Sequence, residues 1–371
     1  MKRYALCLIS LYFLFLLPCG ATAPEEAIAD YYDALPKEVA DALPEEVAEG
    51  LRDGDPTAAT ALDASFLLRF MGRALTGALG DGLSSLLTLT ATVFLAALLH
   101  AFSDTAGEAA GKAVGFAAGL SALLSVLHVV KPAWQLASDT IDGIGLLSKS
   151  LLPVMSAIGV ASGGVSASAI HATWLTILLS LVEQITETVL PPLFGIGLGF
   201  LAVSLVSRLT EGSDMSGIVT SIKRAFTILL TLVGAVLSAI MAYQSVLAKS
   251  SDTVLLRSIK FASGNLIPVV GSTLSETAGS YLASLSLVRS SMGTVVAVSL
   301  LLFVLPPVVT LLICRFGMGF LGTVAGLLGA PQEGELLREA SALLDLAIAS
   351  LAILSGIFLL LTGVFSAAVT G

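Results

Sequence analysis

Two glutamates one helical turn apart are the residues whose type and spacing most directly suggest chemistry. Glu183 and Glu187, with Gln184 beside them, place their carboxylates on one helix face toward the end of a hydrophobic run. A charge at mid-bilayer costs about 2.5 to 3.5 kcal/mol, so these groups are expected to face protein or water. Two interpretations stay open: an intramembrane polar pathway or proton-coupled site, and a helix that surfaces before Pro191.

Catalytic and metal-binding motifs are incomplete in this sequence. The stretch 107–113 is similar to a phosphate-binding loop, but its glycine spacing is one residue short and Ala113 stands where a Ser or Thr would hold magnesium. Ser166 and Ser168 lie close to a histidine without an oxyanion motif. The histidines share no metal-ligand spacing and are interpreted as interfacial or packed: His100, His128 and His171. We predict no enzymatic activity and no cofactor.

The composition indicates a chain solvated by lipid. Hydrophobic residues make up 56% and charged residues 12%, and the mean hydropathy is +0.96, whereas globular chains are about a quarter charged. The net charge of -9 reflects acidic residues crowded into the first eighty positions. No Lys/Arg cluster is dense enough for a nucleic-acid surface. Cys7, Cys19 and Cys314 form neither a disulfide framework nor a zinc motif.

The N-terminus has the pattern of a secretory signal peptide over residues 1–23. Lys2 and Arg3 precede a hydrophobic run that is short for a spanning helix, and small residues follow as far as Ala23. Cys19 leaves a lipoprotein alternative open. A cleaved leader would place the next residues outside the cytoplasm.

Residues 24–80 form the main polar region, which we predict to be an acidic, extracytoplasmic, amphipathic-helical unit. The octapeptides 33–40 and 41–48 repeat one another, and Pro36 and Pro44 suit the first turn of a short helix. The stretch 66–79 is predicted to be an interfacial helix, with Arg69 and Arg73 on its polar side. The repeats share one apolar edge, which either packs on the membrane body or a partner, or belongs to a solvated spacer: Leu35, Val39, Leu43 and Val47.

Residues 81–371 are predicted to be a multi-spanning membrane domain, so the fold class is an all-α polytopic membrane protein with about seven hydrophobic segments. The stretch 173–206 is too long for one span and is expected to break at Pro191 and Pro192. Shorter glycine-rich stretches, 151–170 and 316–330, are candidates for tight packing, re-entrant loops or broken helices. The clear segments are 83–101, 113–130, 225–243, 293–313 and 343–369.

Glycines in the two short stretches are interpreted as seams where helices approach closely, although a pore lining would use the same small residues. The seams are formed by Gly159, Gly163 and Gly164, and by Gly317, Gly322 and Gly326.

A polar passage, RSIKFASGNLIPVVGSTLSE at 257–276, separates two strongly hydrophobic blocks. Its first part is predicted to be a short basic amphipathic helix that carries Arg257 and Lys260, a candidate docking surface. A second helix is predicted to start near Ser272. If the leader is cleaved and 225–243 crosses once, Arg257 and Lys260 lie on the outer side, against the positive-inside rule. Either the basic helix is exported, or an ambiguous segment does not cross.

This passage, with Ser251-Asp-Thr-Val254 and Ser166-Ala-Ser-Ala-Ile170, resembles the stage III sporulation protein AE family of endospore-forming bacteria from about residue 83 to 371. The chain departs from that family in its richness in alanine, leucine and serine and in its octapeptide repeat.

The resemblance implies an integral subunit of the complex connecting mother cell and forespore during engulfment, located in the mother-cell membrane. The implied partners are sister stage III proteins, including ring-forming subunits and a cytoplasmic ATPase. The alternative is a stand-alone secondary transporter or permease.

Overall fold

The computed structural model describes residues 23–103, 108–161 and 271–367, together with isolated positions between 192 and 228. Every regular element in the three described stretches is helical. The predicted leader lies outside the described residues except for Ala23. The predicted span 225–243 lies outside them except for position 228, and the stretch 173–206 except for scattered positions.

Short helices fill the N-terminal polar region. They are α1 (Pro24–Asp33), α2 (Lys37–Ala40), α3 (Glu45–Arg52) and the 3-10 helix η1 (Pro56–Ala61). Pro36 and Pro44 directly precede α2 and α3 with extended ψ angles of 140° and 142°. Each octapeptide repeat thus contributes one short helix that starts after its proline, because proline suits the beginning of a helix and not its interior.

Gly54 closes this unit between α3 and η1. Its φ of +76° is in the left-handed region, and a Cβ there would lie 2.6 Å from the backbone oxygen of Glu25 in α1. Both the left-handed backbone conformation and the close approach to Glu25 require glycine at this position. Nearby, the guanidinium of Arg52 donates to the phenol oxygen of Tyr32 at 3.1 Å and lies over its ring, which ties the end of α3 to α1.

Aspartates begin the next two elements. Asp55 accepts hydrogen bonds from the backbone N–H and the hydroxyl of Thr57, at 2.9 and 2.6 Å. Asp63 accepts from the backbone N–H of Phe66 at 2.8 Å, at the start of the following helix. These bonds lower the pKa of both carboxyl groups, because they favour the ionised form.

The N-terminal unit packs against the long helices that follow it. Val39 and Val47 are fully buried, and Leu35 and Leu43 nearly so. The interpretation of this region as a solvated spacer is therefore wrong, because the shared apolar edge of the repeats is covered by the protein itself. The Tyr31 phenol is buried beside Ser299 without reaching hydrogen-bond geometry. Burial raises the pKa of Tyr31, and Ser299 opposes the rise.

Four long helices make up the rest of the described chain. They are α4 (Ala64–Ser103), α5 (Glu108–Ala161), α6 (Gly271–Leu327) and α7 (Pro331–Ala367). Each contains a stretch long and apolar enough to cross a membrane. At about 1.5 Å per residue, α5 with 54 residues and α6 with 57 residues are about 80 and 85 Å long, against a hydrocarbon layer of about 30 Å.

These helices correct the predicted segmentation. The interfacial helix 66–79 and the span 83–101 are one helix, α4. The span 113–130 and the described part of 151–170 are joined in α5, and 293–313 runs into 316–330 in α6. With the described part of 343–369 in α7, seven predicted stretches thus form four helices. The internal prolines 132, 153, 306 and 307 do not end them, because a break inside lipid would leave more backbone groups unpaired than one proline does.

Contacts between side chains fix the directions of these helices. The hydroxyl oxygens of Thr92 in α4 and Ser125 in α5 lie 2.9 Å apart. Gly82 faces Ile313, and Gly317 faces Leu86 one turn further on, so α4 and α6 run parallel. Gly143 of α5 lies against the ring of Phe303. The N-terminal unit contacts α5 through α1, and α6 through α2 and η1.

Candidate functional site at the α6–α7 hairpin

A tight turn joins α6 and α7. Gly329 adopts a φ of +87°, and the backbone N–H of Ala330 donates to the carbonyl oxygen of Ala325 at 2.9 Å. This is the pattern of a helix that ends at a left-handed glycine. Pro331 begins α7 directly afterwards, where a missing N–H costs nothing. The turn therefore forces α6 and α7 to run antiparallel and side by side.

Two glycines let these helices approach closely near the turn. A Cβ on Gly322 would lie 2.7 Å from the carbonyl oxygen of Gly334, and a Cβ on Gly334 would lie 2.5 Å from the carbonyl oxygen of Gly322. Both distances are shorter than a carbon and an oxygen can tolerate. The backbones meet here without side chains between them, as at small-residue interfaces of membrane helices.

An ion pair connects the same two helices further from the turn. The Nε of Arg315 donates to Oδ1 of Asp345 at 2.6 Å, and the guanidinium also lies 4.7 Å from the ring centre of Phe316. The two side chains keep 35% and 23% of their exposure. Both residues fall within stretches apolar enough to span a membrane. Charges in such stretches are costly unless paired, and they often mark functional positions.

Glu333 is a second unusual charge at the hairpin. It lies in the first turn of α7, is fully buried, and neither carboxylate oxygen has a hydrogen-bond partner among the residues that the structure describes. Its neighbour Glu335 is exposed and lies 4.0 Å from Arg338. A negative charge near a helix N-terminus stabilises the helix. Burying a carboxylate without hydrogen bonds, in contrast, is destabilising.

Some of the site residues predicted from the sequence lie in the described helices, and the others lie outside the described residues. Gly317 and Gly322 lie at close helix approaches. A Cβ on Gly326 would meet no described atom within 4 Å, but the backbone nitrogen of Gly326 lies 3.3 Å from the position of a Cβ on Gly334. Gly159 lies in α5. His128 is exposed on α5, and residues 111–113 of the phosphate-loop-like stretch are helical. The other predicted site residues lie outside the described residues: Glu183, Gln184, Glu187, Arg257, Lys260, Gly163 and Gly164.

Sequence reasoning missed Asp345 and Glu333. Arg315 lies between the predicted stretches 293–313 and 316–330, and Asp345 lies inside the predicted span 343–369. The sequence does contain an indication of the Arg315–Asp345 pair, because a charge in an apolar helix needs a partner. Gly329 lies almost midway between the two residues in the chain, so a turn there brings them side by side. Among the described residues, no three His, Cys, Asp or Glu side chains are grouped as a metal would require.

Long apolar helices with an ion pair and a close glycine contact between two of them define a helical polytopic membrane protein. The family model of Stage III sporulation protein AE (spore_III_AE) matches residues 51–369. The chain belongs to this family.

Two further comparisons concern individual proteins and solved structures. The chain is similar to "Stage III sporulation protein AE" of Bacillus subtilis (strain 168), with 24% identity over 158 residues, which are 42% of this chain and 39% of that protein. The match therefore spans well under half of the relative's length. No solved structure matches.

Proposed function

We propose that the protein is an integral membrane subunit of a transenvelope channel or secretion complex that connects mother cell and forespore and is needed for sporulation. The observation that carries this proposal is the family match over residues 51–369, in a chain whose described part holds four helices fit to span a membrane. The family is one of sporulation membrane proteins and not a known enzyme family, so the proposed role is that of a structural subunit in the assembly.

The proposed location is the mother-cell membrane around the forespore, at the engulfment stage. In this arrangement the leader is removed and the N-terminal unit lies outside the cytoplasm. Its packing on α5 and α6 supports a role as an ordered part of the membrane body, because the apolar edge of the octapeptide repeats is buried. The partners proposed are sister stage III membrane proteins, including ring-forming subunits and a cytoplasmic ATPase.

Two groups of residues predicted from the sequence are considered for roles within this complex. Arg257 and Lys260 are proposed to dock a partner. Glu183 and Glu187, with Gln184, are the candidate intramembrane polar site, which a structural subunit of the complex does not need for its role. The same glutamates would be indispensable in the alternative, a transporter that acts alone.

Affinity purification of the tagged full chain from sporulating cells tests the proposal. We expect the ring-forming subunits and the ATPase to be recovered with the unchanged chain and lost with Arg257→Glu/Lys260→Glu. The matched control is Arg69→Glu/Arg73→Glu, which reverses two exposed charges on α4. Glu183→Gln/Glu187→Gln should leave recovery and sporulation intact.

Two results would count against the complex. One is recovery of the chain without any sister protein under conditions that preserve other membrane complexes. The other is loss of sporulation in Glu183→Gln/Glu187→Gln with normal recovery of partners, which would favour a proton-coupled permease.

A further inference from the structure

A cavity of about 690 Å³ lies where the N-terminal unit meets the long helices. Glu38 of α2 contributes to one side, and α4, α5 and α6 supply the rest. The volume falls within the range of small-molecule sites, about 300 to 1,000 Å³.

Most of its lining is apolar. Val129, Ala133 and Leu136 come from α5, and Leu302 and Phe303 come from α6. Such walls favour the body of an organic molecule over a hydrated inorganic ion, because they offer no oxygen shell to replace water.

The charged side chains in the described lining of the cavity are both acidic. Glu38 and Asp139 line it, and the described residues of the lining include no Lys or Arg. His128 is the other ionisable polar side chain there. The local field therefore favours a cation over an anion.

Backbone carbonyls add to this preference. Pro132, Pro306 and Pro307 all line the cavity, and proline has no N–H with which to serve the carbonyl four residues earlier. The carbonyls deprived of that donor belong to His128, Leu302 and Phe303, which line the same cavity. A carbonyl without its helical donor keeps a lone pair for another partner, and an aromatic ring such as that of Phe303 attracts cations through its face.

We propose that this cavity binds an amphiphilic organic cation, with its apolar body against α5 and α6 and its positive head near Glu38 and Asp139. The site does not depend on the proposed sporulation complex. It is a small-molecule site at the joint between the N-terminal unit and the membrane helices.

Tetraphenylphosphonium and tetraphenylborate provide the test, because these ions have similar size and shape but opposite charge. The full chain, with Cys7→Ser and Cys19→Ser, would be placed in lipid nanodiscs. Equilibrium binding is measured with an ion-selective electrode, and the labelling rate of Cys314, whose side chain lines the cavity, is measured with a maleimide. We expect saturable binding of the phosphonium and at least tenfold slower labelling, with neither effect from the borate.

Variants separate this site from partition into lipid. Glu38→Gln and Asp139→Asn should each weaken phosphonium binding about tenfold, and Glu46→Gln, an exposed glutamate of the same unit outside the lining, should not. Leu136→Lys places a positive charge in the cavity and should abolish binding in a chain whose thermal unfolding is otherwise normal. Equal binding of both ions, unchanged binding in the three cavity variants, or binding of a basic peptide in place of the phosphonium would overturn the proposal.

Discussion

Arg315 and Asp345 lie 30 residues apart in the chain, yet Nε and Oδ1 of their side chains are 2.6 Å apart across the α6–α7 hairpin. Removing either partner takes a short charge-assisted hydrogen bond away from the other in a largely apolar setting. Arg315→Gln should therefore lower the free energy of unfolding by about 1 to 3 kcal/mol, less than the cost for a fully buried pair because both side chains keep some exposure. Thermal unfolding in detergent measures this.

The matched control for this pair is Arg338→Gln. Arg338 and Glu335 are 4.0 Å apart and about half exposed, so their loss should cost at most about 1 kcal/mol. The double change Arg315→Met/Asp345→Leu should recover most of the stability, since two apolar side chains can replace an ion pair. Equal destabilisation by the Arg315 and Arg338 variants would contradict this account.

Gly322→Ala and Gly334→Ala should push the two helices of the hairpin apart. Each Cβ would meet a backbone oxygen, which cannot move aside as a flexible side chain can, and overpacking of this kind costs about 1 to 3 kcal/mol. Gly319→Ala and Gly356→Ala are the controls, because their Cβ atoms would meet nothing within 4 Å. The controls should be neutral or slightly stabilising in thermal unfolding, since alanine favours helix over glycine. Similar losses in all four variants would exclude a specific contact.

The bond from Phe66 N–H to Asp63 predicts a pH-dependent start of α4. The pKa of Asp63 is lowered in the folded chain, so its contribution is fully present above the unfolded value of about 4 and is lost as pH falls through the lower folded value. The difference in Tm between the unchanged chain and Asp63→Ala should shrink below pH 4. The difference between Asp63→Asn and Asp63→Ala should stay constant, because asparagine caps without titrating. A constant difference for the unchanged chain would refute the role of ionisation.

Leu51→Ala should loosen the N-terminal unit. Leu51 is fully buried in α3, and such truncations cost about 2 to 5 kcal/mol. Trypsin should then cleave faster after Lys37 and Arg52 in the folded protein. Leu68→Ala, at a position that is 68% exposed on α4, serves as the control and should leave the cleavage rate unchanged. Resistance of the Leu51 variant would mean that the unit is held by other contacts.

Glu333→Leu should raise the stability of the isolated protein. Both oxygens of this buried carboxylate lack hydrogen-bond partners within the described part of the chain, and an unsatisfied buried polar group costs about 1 to 3 kcal/mol. Thermal unfolding should show an increase, whereas Glu335→Leu at an exposed neighbour should change stability by less than about 0.5 kcal/mol. A lower Tm for Glu333→Leu would show that the carboxylate makes a favourable interaction after all.

The helical membrane class could be read from composition, and the burial of Leu35, Val39, Leu43 and Val47 follows their shared edge in the octapeptide repeats. The continuity of α5 and α6 could not be predicted from the sequence. A proline removes one backbone hydrogen bond in any helix, and the surrounding structure decides whether the helix continues past it. The Arg315–Asp345 pair depends on the register set by the turn at Gly329. A mean hydropathy taken over many residues does not reveal one charged residue among apolar neighbours.

The lengths of α5 and α6 have a consequence for reach. Even at a tilt of about 40°, the largest usual for a membrane helix, the 57 residues of α6 extend about 65 Å along the membrane normal, and lipid hydrocarbon covers only about 30 Å of that. At least about 35 Å of helix therefore stands in water or against other protein. α6 therefore extends well beyond the hydrocarbon layer, and a partner protein could contact it away from the bilayer.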